Sequence, residues 1–220
     1  ADLEMEGAFP ADGPFLVPFA RFSAEGEEGG MAVELSLAAE RDFSALRQLD
    51  LKRLSYGPHF MSGRLRRGAD GRYTIRLEGS SVDISGLIDD ESDENAPPHA
   101  EEAEEEPGPA FDLTARFESV GDGDGRRLEQ VALALGHDGR SVELLRLDGR
   151  FPGGGSLDLD YAPDADGVQR LRLVSDDAGG ALSALDWTAR LDGGALLIEG
   201  SRPAPDMPLT GHATVTDFTL

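Results

Sequence analysis

Two neighbouring carboxylates, Asp176 and Asp177, stand in the stretch "VSDDAGGALSALDWTARLDGG" (174–194), just ahead of two glycines and a short apolar run. Paired acids can serve as a general acid and base, as ligands to a divalent cation, or as acceptors for the free N–H groups at a helix start. The residues that follow decide between these. Ala178, Ala181, Leu182, Leu185 and Ala189 recur at helical spacing, and Gly193–Gly194 supply a C-terminal stop. The pattern predicts a helix near 177–191, with Asp176 or Asp177 as its cap.

The other chemistry-bearing residues form no constellation. His59, His99, His137 and His212 are scattered without metal-ligand spacing, and there is no Cys to supply a thiolate. A calcium loop needs oxygen ligands at its first, third and fifth positions. Loops opening at Asp122, Asp158 and Asp164 place Arg126, Ala162 and Val168 at the fifth, and all three fail. No nucleophile elbow, phosphate loop or dinucleotide fingerprint occurs. Glycoside hydrolysis needs two carboxylates in a cleft, but 43 acids make any such pair uninformative. One Trp, Trp187, and three tyrosines offer little surface for stacking sugars or bases. We expect no catalytic residue, no metal site and no cofactor.

The elements that would position these residues alternate with period two. In "FDLTARFESV", Phe111, Leu113, Ala115 and Phe117 face one way, and Asp112, Thr114, Arg116 and Glu118 the other. "MAVELSLAA", "RYTIRLEG", "VALALG", "SLDLDYAP" and the closing "GHATVTDFTL" repeat the pattern. Asp70–Gly71, Asp138–Gly139 and Asp166–Gly167 sit between such runs, as tight hairpin turns require. The reading is a mainly β chain. It is an antiparallel meander curled into a groove, with two or three short helices. A β-sandwich is the alternative, because a meander with one apolar face hides it either by curling or by packing two sheets. Besides the helix near 177–191, "DFSALRQL" suggests one near 42–48, and "VDISGLI" a single turn.

Charge divides the chain. Residues 89–110, "DDESDENAPPHAEEAEEEPGPA", hold ten acids, four prolines and no Lys or Arg. This composition cannot bury enough apolar surface to order itself, and reads as a disordered loop between a β-rich part, 1–88, and a β meander, 111–220. Setting those ten aside still leaves 33 acids against 20 bases. A net charge of −23 repels phosphate backbones, so nucleic acid is excluded as a partner. No apolar run approaches the roughly 20 residues of a membrane span. The chain starts at Ala1 without a signal peptide, as a mature protein or a piece of a longer one would.

Two segments resemble the AsmA-like envelope proteins of Gram-negative bacteria, closest to the YhdP type. In 49–88 the likeness rests on Gly63-Arg64-Leu65, Asp70-Gly71 before a strand, Leu77-Glu78-Gly79 and Val82-Asp83-Ile84-Ser85. In 170–200 it rests on a strand leading to Ser-Asp-Asp-Ala-Gly, a short helix, Gly-Gly and another strand, and the "PLTGHATVTDFTL" ending fits too. The resemblance implies a fragment of the periplasmic region of a longer chain anchored in the inner membrane. It implies a curled sheet whose apolar groove carries glycerophospholipid acyl chains between the two membranes. The partners it implies are phospholipid, neighbouring segments of the parent chain and other envelope proteins. Val131, Leu133, Leu135, Leu157, Leu159, Leu113 and Phe117 are then the candidate groove lining. The same stripes are also what an ordinary dry core is made of. An acidic scaffold or interaction module of the envelope is therefore the other function the sequence supports.

Overall fold

The structure, a computed structural model, describes residues 2–8, 10, 13–26, 29–57, 59–85, 107–122, 125–184, 187, 191–204 and 207–219. The chain runs through β1 (Asp2–Ala8), β2 (Phe15–Gly26), β3 (Gly29–Ala39), β4 (Leu46–Tyr56), β5 (His59–Arg67) and β6 (Tyr73–Asp83). It continues through β7 (Phe111–Gly121), β8 (Arg127–His137), β9 (Val142–Arg150), β10 (Ser156–Pro163) and β11 (Gln169–Ser175). A helix, α1 (Ala178–Ala184), precedes β12 (Ala195–Arg202) and β13 (Thr210–Thr216). All thirteen strands pair in chain order in one open sheet, with β1 and β13 at its edges. A single sheet replaces the two-layer sandwich that alternation also allowed.

The predicted Asp-Gly turns form as expected. Gly71, Gly139 and Gly167 have φ of 86°, 101° and 80°, in the left-handed region that glycine enters without steric cost. They close the β5–β6, β8–β9 and β10–β11 hairpins.

The meander is antiparallel at every junction but one. β6 and β7 run parallel, Tyr73 opposite Phe111 and Asp83 opposite Gly121. An antiparallel neighbour needs only a tight turn, whereas a parallel one needs a return connection of a dozen or more residues. The end of β6 and the start of β7 lie a strand apart, roughly 36 Å for 11 residues. The acidic stretch falls at this return. Most of the predicted disordered loop, 89–106, lies outside the described residues. Its end, 107–110, is placed: Gly108 N–H donates to the Gly139 carbonyl at 2.9 Å, and Ala110 C=O accepts from Tyr73 N–H at 2.9 Å. Arg72 secures the junction. Its guanidinium grips Asp112 with two bonds of 2.8 and 2.9 Å and reaches Glu143 at 3.0 Å. Those two carboxylates raise the Arg72 pKa, and Arg72 in turn holds the Asp112 carboxyl below the usual range.

The helix predicted at 42–48 is instead a turn followed by β4. Asp42 Oδ1 accepts from the Ser44 N–H (3.1 Å) and hydroxyl (2.7 Å), and Phe43 takes a left-handed φ of 59°. An Asp that binds its own backbone two residues on starts a turn as readily as a helix. Leu49 and Leu51 then pair with Leu37 and Leu35 of β3, and cross-strand packing overrides helix propensity. In "VDISGLI", Val82 and Asp83 belong to β6, and 86–88 lie outside the described residues. The helix predicted over 177–191 is seen as α1 (Ala178–Ala184); 185–186 and 188–190 also lie outside the described residues.

Candidate functional site

Register builds the site. Residues opposite one another on paired strands share a face. Following the partners across the sheet gives Met5, Ala20, Leu35, Leu51, Gly63, Leu77, Ala115, Leu133, Leu147, Leu159, Leu173, Ile198 and Ala213: one residue from every strand, none of them polar. A second row lies beside it over β2–β13. It runs Val17, Leu37, Leu49, Leu65, Ile75, Leu113, Leu135, Leu145, Tyr161, Leu171, Gly200 and Gly211. Strands lie about 4.8 Å apart, so thirteen give an apolar stripe roughly 58 Å long, at right angles to the chain. That is several times the roughly 15 Å thickness of one leaflet's hydrocarbon.

The stripe is covered unevenly. From β3 to β9 its leucines and isoleucine are half-buried. Over β10–β12 the helix α1 packs on it, and Phe151, Leu157, Leu173, Ala178, Ala181, Leu182 and Leu196 form a buried core. The seven predicted lining residues divide accordingly. Leu113, Leu133, Leu135 and Leu159 remain half-buried on the stripe. Leu157 is buried under α1, and Val131 and Phe117 are buried opposite each other on β8 and β7.

Asp177 performs the predicted capping: its Oδ1 accepts the Gly180 N–H at 2.9 Å, the third residue of the helix. Asp176 does not cap. Its carboxylate accepts the Ser156 N–H and, at 2.9 Å, the Ser156 hydroxyl, fastening the helix entrance to the start of β10. The first two helical N–H groups find acceptors that the sequence reading assigned to a stop signal. Ala178 donates to the Gly194 carbonyl (2.8 Å) and Gly179 to the Gly193 carbonyl (3.1 Å). Below them the buried Ser175 hydroxyl lies 2.7 Å from the Ser156 carbonyl and accepts the Asp177 N–H. The opposite end of α1 is held by Arg126, which donates to the Ser183 carbonyl at 2.8 Å.

The bonds from Ser156 hold the Asp176 carboxyl below the usual carboxylate range. A depressed folded pKa stabilises fully above the unfolded value, about 4, and the gain is lost as pH falls through the folded value. Asp176→Asn is therefore expected to cost about 1 kcal/mol at pH 7, an exposed charge-assisted pair being worth less than a buried one. Urea titrations of both proteins should show this gap closing below pH 4; a gap that persists at pH 2 contradicts the assignment.

The opposite face is polar, with cross-strand pairs such as Arg21–Glu34 at 3.0 Å and Arg146–Asp160 at 3.4 Å. It carries a depression of about 480 Å³ between β6 and β9. Ala132 and Ala134 leave room there between the longer Arg76, Arg116, Arg146, Glu78 and Asp148. Its lining gathers mixed charges and contains no His. Among the described residues no group of three His, Asp or Glu side chains converges to hold a metal ion, and no helix is long and apolar enough to cross a membrane. His99 lies outside the described residues.

Sequence reasoning found the apolar face strand by strand but missed that the rows join across the whole sheet. The signal was the uniform alternation itself; what it lacked was the register between strands. No protein-family model matches the chain, and no curated protein or solved structure matches it significantly.

Proposed function

We propose that this chain is a non-enzymatic segment of a lipid-transfer bridge of the bacterial envelope. It carries the acyl chains of glycerophospholipids along its apolar stripe, in the periplasm, as part of a longer protein anchored in the inner membrane. One observation carries this reading: an uninterrupted apolar row that takes one residue from each of thirteen strands and is only half-buried over most of them. A dry core would bury those leucines. A surface meeting only water would not repeat them strand after strand. Acyl chains lying there gain roughly 0.8 kcal/mol per buried CH₂ without any specific polar contact, so a conduit needs no discrete binding pocket. Headgroups stay in water at the open side.

The test is native mass spectrometry of the chain purified from bacterial envelopes. Bound phosphatidylethanolamine or phosphatidylglycerol is the expected result. A lipid-free protein that also extracts nothing from vesicles of those lipids overturns the proposal and leaves the acidic scaffold as the better reading.

A further inference from the structure

The stripe is most enclosed at β11, where α1 lies over it. On β7–β9 the leucines of both rows are half-buried, Leu113, Leu135 and Leu145 in one and Leu133 and Leu147 in the other, and only the small Ala115 between them is buried. On β11, Leu171 of one row is half-buried, yet Leu173, two residues along on the same face, is 3% exposed. Leu196 of β12 is 1% exposed. Ala181 and Leu182 of the helix fill the space above them.

The helix is fixed on four sides. Asp177 caps it, Asp176 ties its entrance to β10, the Gly193 and Gly194 carbonyls take its first N–H groups, and Arg126 holds its last turn beside the start of β8. Its seat is tight: a Cβ on Gly179 would collide with the Leu191 carbonyl. Such a helix belongs to the folded frame.

We infer that α1 is a fixed divider that narrows the lipid-accessible track, so that over β10–β12 acyl chains pass along the Tyr161–Leu171–Gly200 row and are excluded from Leu157, Leu173 and Leu196. This rests on the lipid-carrying reading and adds where the path runs. The helix acts as a wall: it gives the open sheet a second side and confines a chain laterally where the rest of the stripe leaves it free.

A photoreactive leucine analogue placed singly at Leu135, Leu171, Leu173 and Leu196 tests this, in the full chain incubated with radiolabelled vesicles of phosphatidylethanolamine and phosphatidylglycerol. Strong adducts are expected at Leu135 and Leu171, and at least tenfold fewer at Leu173 and Leu196. Gly179→Val, which must lift the helix from its seat, should raise the Leu173 adducts toward the Leu171 level. Asp177→Ala is the milder substitute if that variant does not fold. Equal labelling of Leu171 and Leu173 in the unaltered helix background overturns the divider while leaving lipid carriage standing. So does Leu173 that stays unlabelled when amide exchange shows α1 released. No labelling at Leu135 or Leu171 removes lipid carriage itself, and the divider with it.

Discussion

Leu196→Ala is expected to destabilise the protein by about 3 kcal/mol and to lower its midpoint of thermal unfolding by about 10 °C. Among the described residues, seven of the twelve buried hydrophobic ones belong to the cluster that α1 forms with the sheet, and Leu196 is the largest fully buried side chain in it. It packs among Leu173, Ala181 and Leu182, which are held by strand pairing and helix caps. Little of the cavity left by the lost methyls can therefore collapse. A control on the uncovered stripe, Leu145→Ala, removes the same atoms from a half-buried site and should cost under about half as much. Urea unfolding of both variants reads the difference. Equal losses would mean that stability is spread evenly over the sheet and that α1 seals no distinct core.

The second large effect concerns ligand rather than stability. Leu133→Asp with Leu135→Asp should reduce bound phospholipid at least tenfold, measured by native mass spectrometry, while the protein stays folded. The two leucines sit on adjacent rows at β8, near the middle of the stripe, and are half-buried. Two carboxylates there remain hydrated in the free protein, so folding loses little. An acyl chain crossing them must strip that water from both, which opposes passage. Ala134→Asp, between them on the polar face, supplies the matched control: it adds a charge of the same sign and should leave lipid content unchanged. If it depletes lipid equally, the effect is one of overall charge and not of the stripe.

Much of this was legible from residue order. Phe111, Leu113, Ala115 and Phe117 announce their strand face by period two, and the Asp-Gly turns announce their hairpins, because both signals are local. Asp177 announces a cap for the same reason. What failed was local evidence with two meanings. "DFSALRQL" opens on an Asp as a helix does, yet its Leu49 is claimed by Leu37 of β3. Asp176 and Asp177 are chemically identical, and only their positions relative to β10 and to α1 give them different work. The continuous rows depend on register shifts, such as those between Glu34 and Leu35 and between Leu51 and Leu54, which no single segment encodes.

The parallel junction between β6 and β7 also bears on how the chain reaches its native state. Within a hairpin, partners such as Arg67 and Tyr73 lie six residues apart, and pairing can zip outward from the turn. Across the junction, Tyr73 meets Phe111, 38 residues away, and nothing local guides the encounter. Loop closure over that distance carries an entropic cost before any contact rewards it, and long-range parallel pairing is slow. Two hairpin stacks, β1–β6 and β7–β13, each built from chain neighbours, are therefore expected to form first. Their meeting is then the expected late step. Until it occurs, the inner edges of both stacks are open to any other strand, and ten carboxylates tethered between them keep such encounters repulsive for a second copy of the same chain.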